Sequence, residues 1–251
     1  MTRLIVNADD FGLSELTNKG IVDCFRQGIV TSTSIMANGK SFEHAAKLAK
    51  EFELDVGIHL SLNPEDVTKA ILHRLNLKKV EKTFRNQIKK VKKAGIKPTH
   101  LDGHKHIHIF PGITEITIKL AKENRINRVR LPLNTNVNLS LFFSIQGLKL
   151  MLLSHYARKA KKKFQKSNIK WPEKFYGMLE TNRLSIENLK KILTNIQGNT
   201  AEIMCHPGYY DANVQSFLKK SREKELMALT DNITKKIVKE KGIKLIGYGE
   251  L

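Results

Sequence analysis

The chain has 251 residues, 41% of them hydrophobic, and its 44 Lys and Arg against 24 Asp and Glu give a formal charge of +20. That length and apolar content fit one folded domain over residues 1–251 and exclude general disorder. Scattered Gly and Pro, no fixed-period repeat and only two cysteines, Cys24 and Cys205, exclude a repeat array, a disulfide scaffold and a zinc ribbon.

In chain order, RLIVNADD reads as a buried strand, and Glu15–Gln27 as a helix closed by Gly28. IVTSTSIM is a second strand, 41–52 a helix and DVGIHLSL a third strand. Residues 79–94 form a basic amphipathic helix ended by AGIKP, followed by the short strand THLD, a helix over 112–124 and a fifth strand, NRVRLP. Residues 139–166 are mainly helical, KFYGML is a sixth strand, and LSIENLKKILTNI is a helix capped by Ser185. TAEIMC is a seventh strand, 217–240 one long charged helix, and IKLIGY an eighth strand. Strands alternating with helices predict an α/β fold, a distorted (β/α) barrel of the TIM-barrel type; an open doubly wound sheet shares the pattern. NADD, GIHL, THLDGH, RLP and CHPG all fall near strand ends, and a barrel gathers such ends around one mouth.

The positive charge lies in lysine-rich helical segments, KKVEKTFRNQIKKVKKAG, ARKAKKKFQK and LKKSREKE, with few aromatics between them. This predicts a solvated basic surface; a polyanion-binding surface is the alternative, and nucleic acid is not expected as the primary partner. A strand that begins near residue 3 leaves no room for a signal peptide. The most apolar stretch, LSLFFSIQGLKLMLLSHYA, is interrupted by Gln146, Gly147 and Lys149, so no membrane span is expected and the expected location is cytoplasmic.

Adjacent acids on a straight strand point to opposite faces, so Asp9 and Asp10 share a site only if the backbone turns, and Gly12 is the expected pivot. Helix capping is the plainer use of such acids. THLDGHKHIHIFPG carries His100, Asp102, His104, His106 and His108 at every second position, one face of an extended backbone that Gly103 is expected to interrupt, and too many for one ion. Asp10, His59 and one histidine of this cluster make a two-imidazole, one-carboxylate set that leaves positions open for water and substrate. Asp9 is then free to act as a base. His206, forced out of its strand by Pro207 and Gly208, is placed for a general acid titrating near neutrality. A Cys205–His206 dyad does not follow from adjacency, and Cys205 reads as buried structure. His73 reads as a surface or packing residue.

NADDFGLS, IVTSTSIMANG, GIHLSLN, THLDGHKHIHIFPG, RLP and EIMCHPG, in this order over nearly the whole chain, resemble the YdjC-like carbohydrate deacetylases, relatives of the polysaccharide deacetylases. The resemblance implies a distorted (β/α) barrel and metal-dependent removal of acetyl groups from N-acetylated sugars, including chitooligosaccharides. It implies Asp10, His59 and His104 as ligands of one divalent ion and Asp9 as catalytic base. It implies His206 as acid or oxyanion partner, and Arg130 as a residue that orients an acid or binds substrate. Two imidazoles suit Zn2+, while the resemblance leaves Mg2+ open. It also implies a homodimer. The route from Ser61 to Leu77 is short, with little room for a lid, so a preference for oligosaccharides does not carry over. A metal-dependent phosphoesterase and a basic nucleic-acid module are the alternatives.

Overall fold

The computed structural model describes residues 1–71, 75–133, 145–214, 218 and 220–251. His73 and the start of the expected 139–166 helix lie outside the described residues. The strands are β1 (Arg3–Phe11), β2 (Ser32–Ile35), β3 (Val56–Leu60), β4 (Leu101–Gly103), β5 (Lys174–Tyr176), β6 (Thr200–Cys205) and β7 (Lys244–Leu245). The helices are α1 (Glu15–Gln27), α2 (Phe42–Glu51), α3 (Pro64–Ile71), α4 (Leu77–Lys93), α5 (Ile113–Glu123), α6 (Ile145–Lys166), α7 (Ile186–Thr194), α8 (Arg222–Thr230) and α9 (Asn232–Glu240). Ser14 caps α1 by accepting from Thr17 N–H, and Ser185 caps α7 the same way from Asn188 N–H.

All strand pairs are parallel, in the order β4-β3-β2-β1-β6-β5, with β7 beside the start of β1. Beyond β4, single bridges join Leu101 to Val129 and Arg128 to Lys170, just upstream of β5, so the curled sheet continues round as a distorted barrel. Leu4, Val6 and Ala8 pack with the helices, whereas Ile5 faces inward onto Ile246 and Tyr248. That alternation turns Asn7 and Asp9 inward too. Register places Glu202 beside Ile5 and Asp102 beside His59, so the inner face is apolar at its base and polar toward the strand C-termini. Gly57 is required there: a Cβ would lie 2.3 Å from the His100 ring that fills its place.

Several expected elements differ. NRVRLP supplies only the two single bridges, because Pro132 has no N–H to donate and Leu131–Leu133 already form a turn. Residues 217 and 219 of the expected long helix over 217–240 lie outside the described residues, and from Arg222 on it is two helices, broken at Asp231, which is extended (ψ 141) and whose side chain accepts from Ile233 N–H. α3 lies on the route from Ser61 to Leu77, for which the sequence reading named no element. The histidine run, by contrast, breaks after Gly103 as expected: His104–Ile109 is a 3-10 turn with Lys105 and His106 in the left-handed region, at φ 53 and 58.

Candidate active site

The turn at the end of β1 includes the expected Gly12 pivot, at φ 98, but begins two residues before it. Asp10 is itself left-handed, at φ 69, and the β1–β2 register slips between Ala8 and Phe11. Such a backbone is uncommon for a non-glycine residue and costs about 1 kcal/mol or more. It brings both acids to the mouth of the barrel.

Asp9 is buried and clamped. It accepts from Arg130 Nη1 and Nη2, both at 2.7 Å, and from Asn7 Nδ2 at 2.9 Å. Arg130 Nη1 also lies 2.7 Å from Asp102 Oδ2, and its Nε donates to Glu202 Oε1 at 2.8 Å. One fully buried guanidinium thus serves three carboxylates. Asp102 Oδ1 accepts from His59 Nδ1 at 2.9 Å, and its Oδ2 accepts from Ser34 Oγ at 2.9 Å. Burial lowers the affinity of His59 for a proton, but Asp102, Asp9 and Asp10 outweigh it and lift the imidazole to about 9. Glu202, which also accepts from the Tyr248 hydroxyl, is the acid least served, and burial pushes it up to about 7.

The pairing of His59 Nδ1 with Asp102 turns Nε2 toward Asp10. Asp10 Oδ1 lies 3.6 Å from His59 Nε2 and 3.3 Å from His104 Nδ1, with these ligand atoms within 4.8 Å of one another. This oxygen is buried and, among the described residues, makes no hydrogen bond. Burial opposes ionisation of Asp10, yet His104 and the Arg222 guanidinium hold its carboxyl well below the ordinary range. A partnerless anionic oxygen facing two imidazoles is the donor set of a divalent cation, and a carboxylate behind one imidazole is the usual outer support. Asp9, His59 and Asp102 are equally close, but all four carboxylate oxygens there already accept, from Arg130, Asn7, His59 or Ser34.

His104, about a third exposed, is the water-facing member of the cluster. The left-handed pair after it carries the remaining histidines away. His108 Nε2 donates to the Arg130 carbonyl at 3.0 Å, and His106 lies edge-on to Phe175. His100 stacks on Tyr248 at 3.7 Å. Burial holds His100 and His108 down to about 4 and His106 well below its usual value, so all three are neutral packing groups.

His206 Nε2 stands 3.9 Å from Asp9 Oδ2 across the mouth. Its titration is not near neutrality as expected: burial pushes it down to about 4. Cys205 is buried, its thiol pushed well up by burial and directed at the Asn7 carbonyl, which leaves no Cys–His dyad.

The sequence reading missed Arg222 and Glu225, placed in the solvated LKKSREKE segment but buried here, and Glu202. Arg222 Nη2 donates to Asp10 Oδ2 at 2.6 Å, and Glu225 Oε2 accepts from His206 N–H at 2.6 Å. Glu202 had a signal, a lone acid inside the apolar run AEIMC. Arg222 and Glu225 had none, being two charges among six in eight residues.

A curled parallel sheet with a carboxylate–imidazole cluster and a clamped second acid at its strand C-termini defines a metal-dependent hydrolase of the (β/α)-barrel type. The chain belongs to the YdjC-like protein family, whose profile matches residues 3–240. It is 33% identical to a carbohydrate deacetylase of Clostridium beijerinckii over 99% of this chain and 100% of that one. It is 27% identical to the mouse (Mus musculus) carbohydrate deacetylase over 82% and 78% of the two chains. In fold it is similar to a crystal structure of a candidate cellobiose-phosphate cleavage protein from Enterococcus faecalis (TM-score 0.81, 23% identity, 99% and 98% coverage). A family 4 carbohydrate esterase from Streptomyces lividans shares the fold more distantly (TM-score 0.53, 11% identity, 97% and 91% coverage).

Proposed function

We propose that this protein removes N-acetyl groups from amino sugars, chitooligosaccharides among them, releasing acetate and a free amine. The observation that carries the reading is the buried, partnerless Asp10 Oδ1 facing His59 and His104, one residue from an acid gripped at both oxygens. The curated relatives that match nearly the whole chain bear the name carbohydrate deacetylase, which supports the substrate class. Asp10, His59 and His104 would hold one divalent ion, Zn2+ or Mg2+, and two imidazoles suit Zn2+ better. When bound, such an ion supplies a Lewis acid beside the acetyl carbonyl and lowers the pKa of water.

Asp9 acts as the base. Arg130 and Asn7 fix its carboxylate, so Oδ2 faces the mouth ready to take the proton of the attacking water. The new C–O bond forms at the acetyl carbon, and on collapse the C–N bond breaks toward the sugar nitrogen. His206 borders the same space and is neutral at rest, so it first donates a hydrogen bond to the developing oxyanion. As negative charge builds beside it, it passes on to the departing amine the proton that Asp9 took from the water. Arg130 orients rather than binds substrate, since its donors are taken by Asp9, Asp102 and Glu202. For the same reason its donors are not free for a phosphate; phosphate release without acetate would favour the phosphoesterase alternative. Acetate release from a panel of N-acetylated mono- and oligosaccharides, measured with metal content, tests the reading. Full metal occupancy without acetate from any of them would refute the substrate class.

A further inference from the structure

The loop after β6 and the turn after β1 carry opposite halves of this reaction centre, and one helix start holds both. Arg222 opens α8 and is buried. Its Nη2 donates to Asp10 Oδ2 at 2.6 Å and its Nη1 to the His206 carbonyl at 3.4 Å. Glu225, one turn on and also buried, accepts from the His206 N–H at 2.6 Å. Gly208 N–H donates back to the Arg222 carbonyl at 3.3 Å. On the other side α1 presses on the same loop, where a Cβ on Gly20 would lie 2.5 Å from Gly208 Cα. The CHPG loop is therefore pinned between two helices, and its side-chain anchors on α8 are Arg222 and Glu225.

The bond to Arg222 also decides which oxygen Asp10 presents. Oδ2 is spent on the guanidinium, so only Oδ1 faces His59 and His104, and among the described residues Oδ1 has no hydrogen-bond partner. Asp10 keeps its left-handed backbone at φ 69, a conformation that persists where surrounding bonds over-determine it. We propose that Arg222 and Glu225 are the positioning pair of this enzyme: Arg222 fixes Asp10 as a one-oxygen ligand, and Glu225 fixes His206 opposite it. The inference rests on the metal-dependent reading given above.

The test uses full-length protein stripped of metal and titrated with Co2+, whose d–d absorption reports both occupancy and ligand geometry. Arg222→Met removes the charge, while Arg222→Lys keeps it but has no second arm for the His206 carbonyl. Both are expected to bind Co2+ on the order of 10- to 100-fold more weakly than wild type, with a changed band as Asp10 turns its second oxygen inward. The lysine is expected to recover part of the affinity and not the band. Should Arg222→Met fail to fold by far-UV circular dichroism, Arg222→Lys decides alone. Wild-type affinity and an unchanged band in the folded variants would overturn the Arg222 assignment. Glu225→Ala is expected to keep wild-type Co2+ binding and lower kcat for acetate release on the order of 10-fold with little change in KM, and Glu225→Gln, whose amide oxygen still accepts from His206 N–H, to restore it. Wild-type kcat in Glu225→Ala would overturn that half. If no sugar yields acetate, the Co2+ comparison still decides Arg222, and the substrate reading alone has failed. Absence of Co2+ binding by wild type would overturn both.

Discussion

Glu202→Gln is the substitution whose consequence the charge pattern inside the barrel fixes best. Arg130 and a protonated His59 stand there against Asp9, Asp102 and Glu202, two positive groups against three acids. Burial therefore leaves Glu202 holding its proton up to about 7, against 4.5 for an ordinary glutamate. Between those values the native state binds a proton that the unfolded chain has released. Stability from this group is thus full below about pH 4.5, falls as pH rises, and is lost above about 7. A shift of this size corresponds to about 3 kcal/mol. Glutamine keeps the shape and cannot ionise, so the variant should lack that slope. Its stability relative to wild type should rise by about 3 kcal/mol from pH 5 to 8. Urea unfolding of metal-free protein across that range measures the difference directly, and the contribution of His59, present in both proteins, cancels. A difference that stays flat with pH would refute the reasoning and show that Glu202 is ionised throughout.

Asp9→Asn and His206→Ala should each lower acetate release on the order of 10²-fold or more while the protein still holds its ion, as turnover paired with metal content will show. Asp10→Ala should lose metal as well as activity. Because His59 carries a proton up to about 9 in the ion-free protein, metal binding at neutral pH should expel it, which calorimetry in buffers of different ionisation enthalpy detects. Arg130→Met should destabilise the fold by about 3–5 kcal/mol, since it strands three buried carboxylates, and a melting temperature within about 2 °C of wild type would refute that. The homodimer that the family resemblance implies is tested by light scattering, where a stable monomer refutes it.

The alternation of strands and helices was legible because periodicity is local: RLIVNADD, GIHL and TAEIMC show burial, and Ser14–Glu15 and Ser185–Ile186 sit at helix starts, in a few residues each. The candidate ligands were legible as well, since acids and histidines near strand ends are out of place unless something needs them. Asp10, His59 and His104 do converge. The sequence could not say which oxygen or nitrogen each would present, because that depends on partners 43 and 212 residues away, Asp102 for His59 and Arg222 for Asp10. Nor could it say that Asp10 joins Gly12 in the turn, which goes with the slip of β1 against β2. Arg222 and Glu225 were hidden in a charged stretch because local composition cannot tell a solvated arginine from one that the closing of the barrel buries against an acid. The sequence by itself determined the inventory and its place at the strand ends; the tertiary structure alone decided the pairing, because Coulomb and hydrogen-bond energies depend on distances that only the fold sets.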